Sequence, residues 1–127
     1  MVWSCLVSIL PGMAQTEKLT DYVNPFVGTD GYGNVYPGAQ IPFGGIQISP
    51  DTDSRFYDAA SGYKYNHLTL MGFSLTHLSG TGIPDLGDFL FIPGTGEMKL
   101  EPGTHEDPDQ GYRSRYSHDK EWASPNY

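Results

Sequence analysis

Glycine and proline restrict this chain more than any other feature, with 16 glycines and 10 prolines among 127 residues. Proline has no amide hydrogen for an intrahelical bond, and glycine loses the most conformational entropy when it is ordered. These residues interrupt the sequence so often that a helical bundle is disfavoured. The sequence therefore predicts an all-β fold of short strands and long loops, with 38% apolar residues to form a core.

Short apolar runs bounded by glycine and proline predict the positions of the strands. Four segments fit this pattern: residues 43–48, 67–75, 88–92 and 112–117. The second alternates with a change of phase near Gly72, which indicates a bulge. The third is continuously apolar, which is typical of a strand buried on both faces. Only residues 20–24 could open a helix, and a sandwich is the natural closure for such strands.

The charge balance excludes several classes of partner. Seven Lys and Arg residues stand against 15 Asp and Glu residues, which gives a net charge of -8. A protein that binds nucleic acid or an anionic membrane surface normally carries a basic patch. We therefore expect no nucleic-acid partner, and a neutral ligand suits the chain better.

The N-terminus resembles the end of a secretory signal. An apolar run, Met1-Val-Trp-Ser-Cys-Leu-Val-Ser-Ile-Leu10, precedes a Pro-Gly breaker and Ala14. The positively charged start of a signal is missing, and the run is too short to cross a bilayer. We interpret residues 1–15 as a signal-peptide remnant; an apolar strand or a disordered start is the alternative. The single cysteine, Cys5, excludes an internal disulfide, and its use as a lipid anchor stays open.

A glycine loop at Gly28-Thr29-Asp30-Gly31 is the first candidate site. Gly31 and Gly33 begin a Gly-x-Gly pattern, but the third glycine and any Gly-Lys-Ser/Thr run are absent. A dinucleotide or phosphate loop is therefore disfavoured. Two interpretations stay open: a tight turn in which glycine supplies positive φ, or a loop that lets the backbone approach a ligand.

The densest polar run extends from His77 to Asp88. A lone histidine is more often a hydrogen-bonded structural residue than a catalyst, and Ser79 lacks the Gly-x-Ser-x-Gly elbow of hydrolases. No Asp-x-Asp-x-Asp-Gly ladder of a calcium loop is present, so no metal site is predicted here. Most aspartates in such a chain cap turns, and we interpret these residues in that way: Asp51, Asp53, Asp85, Asp88, Asp107 and Asp109.

A series of motifs resembles one known family. In order they are Asp21-Tyr-Val-Asn-Pro-Phe-Val-Gly-Thr-Asp-Gly31, Tyr36-Pro-Gly-Ala39, Pro42-Phe-Gly44, Ser49-Pro-Asp51, Ser61-Gly-Tyr63, Gly72-Phe-Ser74, Thr76-His-Leu-Ser-Gly-Thr-Gly82, Asp85-Leu-Gly-Asp88 and Tyr112-Arg-Ser-Arg-Tyr-Ser-His118. The series is similar to the N-terminal domain of glycoside hydrolase family 92, the calcium-dependent exo-acting α-mannosidases. The resemblance covers residues 20–127, which we take as a partial N-terminal β-sandwich domain.

The resemblance implies a secreted bacterial enzyme, periplasmic or at the cell surface, that removes terminal α-linked mannose from glycans with inversion. In this family the sandwich packs on an (α/α)6 barrel, which holds the catalytic carboxylates and most calcium ligands. The chain would then be an inactive N-terminal fragment that supplies loops to the substrate pocket. Its partners would be a mannose-containing glycan and the barrel of the same polypeptide.

The resemblance also suggests which residues contact sugar. The loop Gly28–Gly31, Tyr57 and Asp58 are the first candidates, and His77 follows as a loop organiser or interface residue. The chain has Tyr57-Asp-Ala-Ala60 where the family typically has Trp-Asp-Trp-Cys, so Tyr57 could stack on a sugar but Ala59 could not. Two other functions stay open: a stand-alone carbohydrate-binding module, and a scaffold without sugar contacts.

Overall fold

The computed structural model describes residues 17–53, 57–80, 82–84 and 87–120. Five short strands lie in these ranges: β1 Ser49–Asp51, β2 Thr69–Leu70, β3 Gly72–Ser74, β4 Leu90–Phe91 and β5 Ser114–Arg115. Single-turn 3-10 helices span Leu19–Tyr22, Tyr57–Ala59 and Pro108–Gln110, and the described residues contain no α-helix. The all-β class is therefore confirmed. The predicted signal-peptide remnant at residues 1–15 lies outside the described residues.

The strands form two small antiparallel sheets. The first has the order β1-β3-β4, with Ser49 opposite Ser74 and Phe73 opposite Phe91. The second pairs β2 with β5. Only Met71 separates β2 from β3, and its amide donates to the carbonyl of Asp51 at 2.7 Å. The phase change near Gly72 thus marks a passage between sheets, not a bulge within one strand.

Two predicted strands need correction. Residues 43–48 are not a strand, because pairing with β3 begins at Ser49 and the Gln47 amide bonds to the Leu75 carbonyl ahead of it. The segment 88–92 does contain β4, but it is not buried on both faces. Phe89 is 67% exposed and Phe91 is 58% exposed. The described part of the chain does not cover the faces of β4 that carry these side chains.

The interior is unusually polar. The largest fully buried side chains are Thr52, Thr69, Asp53, Pro108, Ser49 and Ser74. Buried apolar side chains are fewer and mostly small or aromatic: Tyr36, Ala59, Ala60, Tyr63 and Met71. Buried polar groups in proteins are stabilised by hydrogen bonds, since an unpaired one loses its hydration without compensation. Specific hydrogen bonds therefore contribute much to the stability of the interior of this domain.

Arg113 links the two sheets through its buried guanidinium group. Its Nη1 atom donates to the Thr52 carbonyl and, at 3.2 Å, to Thr69 Oγ1. Its Nη2 atom lies 3.6 Å from Asp53 Oδ2, and the same oxygen lies 3.3 Å from His105 Nε2. Asp53 Oδ2 thus belongs to a buried ion pair, a role that the turn-capping prediction did not include.

The other described acidic residues outside the cleft take different roles. Asp107 does belong to a turn, where Oδ2 accepts from Gln110 Nε2 at 2.6 Å. Asp109 instead accepts from Arg115 of β5 at 2.9 Å, in an ion pair that is mostly exposed. Asp107 occupies the N-cap position of the 3-10 helix Pro108–Gln110 but makes no side-chain cap hydrogen bond, and Asp109 pairs with an arginine, so the turn-capping interpretation is wrong for both. No helix within the described ranges is long and apolar enough to cross a membrane.

Candidate functional site

A polar cleft of about 240 Å³ opens beside the first sheet. Its floor is formed by β1, β3 and β4, and the loop after the 3-10 helix Tyr57–Ala59 forms one wall. The polar side chains that line it are Asp51, Ser61, Ser74, Thr76, His77 and Asp88. Because β1 and β3 pair directly, residues that lie far apart in sequence meet at this point.

Hydrogen bonds and one ring contact fix the position of His77. Its amide donates to Gln47 Oε1 at 3.0 Å, and its Nδ1 atom lies 2.8 Å from the Gln47 carbonyl oxygen. Its Nε2 atom lies 2.9 Å from both Ser74 Oγ and Asp51 Oδ1. Tyr36 packs against the ring, with centroids 4.8 Å apart. Because both ring nitrogens face oxygen atoms of fixed segments, the orientation of the ring is set by these contacts.

Gly62 makes the pairing of Asp51 with His77 possible. Its φ is +93°, and a Cβ atom there would overlap Asp51 Oδ1 and lie 3.2 Å from His77 Cδ2. The Gly62 carbonyl also accepts from the Thr52 amide at 2.7 Å. The prediction that Asp51 caps a turn is therefore wrong, since its carboxylate is buried against a histidine from the neighbouring strand's end.

Two buried polar atoms of the cleft lack a partner among the described residues. They are Asp51 Oδ2 and Ser61 Oγ. Asp51 is only 5% exposed and Ser61 only 2% exposed, so neither side chain is generally solvated. Most buried polar side-chain atoms in proteins have a protein or water partner. Both atoms are exceptions to this rule, on residues that line the cleft.

The opposite wall of the cleft is formed by Thr76 and Asp88. Thr76 Oγ1 donates to Asp88 Oδ2 at 2.8 Å, and the Gly87 amide donates to the Thr76 carbonyl at 2.8 Å. Asp88 thus joins its own segment to that of Thr76. Asp85 lies outside the described residues. The described part of the chain contains no group of three or more His, Cys, Asp or Glu residues placed to hold a metal. These residues therefore do not fit a calcium site.

The glycine loop is a tight turn, which the Tyr65 amide joins to the rest of the domain by donating to the Thr29 carbonyl at 2.9 Å. Gly28 and Gly31 have φ values of +81° and +59°, as a tight turn requires. Thr29 is buried and its hydroxyl donates to the Phe26 carbonyl at 2.8 Å, while Asp30 Oδ1 accepts from the Gly31 amide at 2.8 Å. The tight-turn interpretation describes this geometry, and sugar contact by the loop stays a prediction.

Tyr57 packs against Tyr32, the residue that follows the glycine loop, and both rings are exposed. The Tyr32 and Tyr57 rings have centroids 6.2 Å apart and are 80% and 63% exposed. A Cβ atom on Gly82 would overlap the Tyr57 ring, so the chain passes close beneath it. Asp58 follows Tyr57 in the 3-10 helix Tyr57–Ala59, and its side chain lies outside what the structure describes.

The structure thus places the predicted site residues in two neighbouring groups. Tyr57 meets the glycine loop at Tyr32, whereas His77 is buried behind Tyr36 and reaches the cleft. Sequence reasoning did not select Asp51, Ser61 or Gln47. The run Ser49-Pro-Asp-Thr-Asp53 has no large apolar side chain, so apolar patterning gave no signal that it is buried.

These features define a small β-rich domain with a polar cleft and exposed aromatic rings. The sequence profile of the glycosyl hydrolase family 92 N-terminal domain matches residues 22–127. A 73-residue stretch is 36% identical to a protein of Arthroderma benhamiae named "Uncharacterized secreted glycosidase". This stretch covers 57% of the chain and 9% of that protein, so the chain spans only a small part of its relative. The chain belongs to glycosyl hydrolase family 92 and contains its N-terminal domain, as the motifs predicted.

Proposed function

We propose that this chain is the N-terminal domain of a secreted enzyme that hydrolyses terminal α-linked mannose with inversion. The family match over residues 22–127 carries the proposal, because it identifies a glycoside hydrolase domain. The name of the Arthroderma benhamiae relative supports secretion. The organism is proposed to be a bacterium that exports the enzyme to its periplasm or surface.

The role proposed for this domain is to contact the glycan. The exposed Tyr57 ring offers an apolar face to the C–H groups of a sugar, and Tyr32 extends that face. Asp30 and Asp58 add carboxylates, which accept hydrogen bonds from sugar hydroxyls. The role proposed for His77 is indirect. Its hydrogen bonds to Gln47, Ser74 and Asp51 fix the segment that leads to Gly82, beside the Tyr57 ring.

The bond-breaking step is assigned to an (α/α)6 catalytic domain of the same polypeptide. In an inverting glycosidase one carboxylic acid protonates the leaving oxygen, while a carboxylate roughly 6.5–9.5 Å away activates water on the opposite face. The described residues do not fit a calcium site, so we assign calcium to that domain and derive no step through it.

The experiment uses the intact protein from its source and follows the hydrolysis of methyl α-mannoside by proton NMR. The β-anomer of mannose is expected to appear first, because inversion changes the configuration at the anomeric carbon. If the α-anomer appears first, inversion is overturned. If a glycoside panel shows release of another sugar instead, the mannose assignment is overturned. If no sugar is released at all, the proposal of hydrolysis is overturned.

A Tyr57→Ala variant of the same protein tests the glycan contact. We expect KM for mannosides to rise about 2- to 13-fold, since an aromatic contact is worth roughly 0.5–1.5 kcal/mol. Tyr22→Ala is the matched control, because Tyr22 is similarly exposed, at 68%, on the 3-10 helix Leu19–Tyr22. Equal KM values for the two variants would favour a scaffold without sugar contacts.

A stand-alone carbohydrate-binding module is the second candidate function. The exposed Tyr32 and Tyr57 rings favour it, because sugar-binding surfaces use such aromatic faces. The intact mass of the native protein separates the two proposals. A mass several times 14.0 kDa supports the enzyme, and a mass near 14.0 kDa or slightly below supports the module.

A further inference from the structure

Asp30-Gly31 is the one place in the sequence where glycine follows aspartate, and the dipeptide Asn-Gly does not occur. Every other aspartate of the chain precedes a residue that has a side chain. Glycine has no Cβ atom, so another group can approach its backbone closely. The dipeptide therefore places a carboxyl group next to an unhindered backbone amide.

The folded turn holds these two groups in contact. The Gly31 amide donates to Asp30 Oδ1 at 2.8 Å. Because Oδ1 is bonded to Cγ, the amide nitrogen also lies beside the carboxyl carbon, and its proton faces the carboxyl oxygen. Reacting groups that are held together in this way react faster than groups that must first meet. The fold thus keeps the amide and the carboxyl group in place for a reaction between them.

The surroundings of the dipeptide leave room for a product. Asp30 and Gly31 are both exposed, and a Cβ atom on Gly31 would meet no atom within 4 Å. Solvent therefore reaches both groups, and a new ring would not collide with a neighbouring segment. The aspartates of the interior differ in this respect, since Asp51 is 5% exposed and Asp53 is fully enclosed.

We propose that Asp30-Gly31 is a site of spontaneous isomerisation to isoaspartate. The Gly31 nitrogen forms a bond to Asp30 Cγ, and one carboxyl oxygen leaves as water with the amide proton and the carboxyl proton. The product is a five-membered succinimide ring. A solvent water then opens the ring. Opening at the Cγ carbonyl restores aspartate, whereas opening at the backbone carbonyl gives isoaspartate, with no net change in mass and no oxidation or reduction.

The modification changes the turn without changing the net charge. In isoaspartate the main chain runs through Cβ and Cγ and is one carbon atom longer, and the former backbone carbonyl becomes a free carboxylate. That carbonyl accepts from the Gly33 amide at 3.3 Å in the unmodified turn. The segment that carries Tyr32 to the Tyr57 ring is therefore rebuilt. An effect on glycan contact rests on the proposed function, whereas the isomerisation itself does not.

Incubation of the intact protein at neutral pH and physiological temperature tests the inference. Isoaspartate is measured after digestion, by labelling with an isoaspartyl methyltransferase and by electron-transfer fragmentation of the peptide. We expect isoaspartate to accumulate with time at position 30 and to stay at background at Asp119. Asp119 is the internal control, because it is also exposed but precedes Lys120. Background at position 30, or equal amounts at both positions, would overturn the inference.

Two variants test whether the signal comes from ring closure at this turn. Asp30→Glu keeps the charge but would need a six-membered ring, so the signal is expected to be lost. Asp30→Asn forms the same succinimide with loss of ammonia instead of water, and its isoaspartate is expected to accumulate faster than in the wild type. A signal that persists in Asp30→Glu, or no isoaspartate in Asp30→Asn, would contradict ring closure at Asp30 and overturn the inference.

Turnover of methyl α-mannoside by fresh and incubated protein separates this inference from the proposed function. If isoaspartate accumulates and KM stays unchanged, the isomerisation stands and sugar contact by the glycine loop fails. If isoaspartate accumulates in a protein that hydrolyses no mannoside, the isomerisation stands and the mannosidase proposal fails. If mannoside is hydrolysed and position 30 stays unmodified, only the isomerisation is overturned.

Discussion

Gly62 is the residue on which the cleft depends most directly. Any side chain at this position would overlap Asp51 Oδ1, and the positive φ is itself unfavourable for residues with a Cβ atom. We therefore predict that Gly62→Ala destabilises the protein by about 2–3 kcal/mol or more, as measured by urea unfolding.

Gly94→Ala provides the control for this prediction. A Cβ atom at Gly94 would meet no atom within 4 Å, and the residue has no positive φ. Its cost is expected to stay within about 0.5 kcal/mol. Similar destabilisation by both substitutions would contradict the special role of Gly62.

Tyr63 gives the protein a predictable response to high pH. Burial raises the pKa of Tyr63 well above its ordinary value, and Tyr116 and Tyr65 raise that pKa further. In the unfolded chain tyrosine ionises near pH 10. The stability that the protonated hydroxyl contributes is thus fully present below about pH 10 and is lost as pH rises toward the folded pKa.

We predict that wild-type stability falls more steeply above pH 10 than that of Tyr63→Phe. The difference in slope is expected to approach about 1.4 kcal/mol per pH unit, since one extra proton is released on unfolding. Urea unfolding at several pH values measures it. Parallel slopes for the two proteins would show that Tyr63 titrates normally.

At the scale of elements, Arg113 immediately precedes β5 and Arg115 lies within it, and the two side chains differ in burial. The Arg113 side chain is fully buried against Asp53, whereas the pair of Arg115 with Asp109 is mostly exposed. Removing one partner of a buried pair costs about 3–5 kcal/mol, and exposed pairs are worth about 0–1 kcal/mol. We predict that Arg113→Ala is strongly destabilising and that Arg115→Ala is nearly neutral.

Thermal unfolding of both alanine variants measures this difference, and each serves as the reference for the other. Comparable Tm values would show that the connection between the two sheets does not depend on the Arg113 guanidinium. A second variant, Arg113→Lys, retains the charge but not the planar group that reaches Thr52 and Thr69 together. It is expected to recover only part of the lost stability.

The strands also show which structural features could be predicted from the sequence and which could not. The alternation of residues 67–75 located β2 and β3, because period-2 patterns report extended backbone directly. It could not show that the chain changes sheets at Met71, since that depends on which strands pair. Likewise Asp51 and His77 are 26 residues apart, and their contact follows from the β1–β3 register, which no local pattern encodes. The prediction that residues 88–92 are buried on both faces was wrong, because the burial of a strand depends on which layers pack against it.

At the scale of the whole molecule, the net charge of -8 bears on how a ligand binds. A neutral sugar displaces no counterions, whereas a charged ligand binds with a strong dependence on salt. We predict that the affinity for methyl α-mannoside changes less than about 2-fold between about 50 and 500 mM NaCl.

Calorimetric titration at the two salt concentrations tests this prediction, with Tyr22→Ala as a variant whose response should match the wild type. A steep change in affinity with salt would indicate a charged ligand or a charged contact at the site. It would therefore contradict binding through hydroxyl groups alone.

The buried contact between Arg113 and Thr52 has a consequence for synthesis on the ribosome. The two residues are 61 positions apart, and translation proceeds at about 5–20 residues per second. Thr52 and Asp53 therefore emerge roughly 3–12 s before the arginine that later closes over them. During that interval Asp53 remains hydrated and the nascent β1 segment stays open. The order of translation thus delays the joining of the two sheets until Arg113 has left the ribosome.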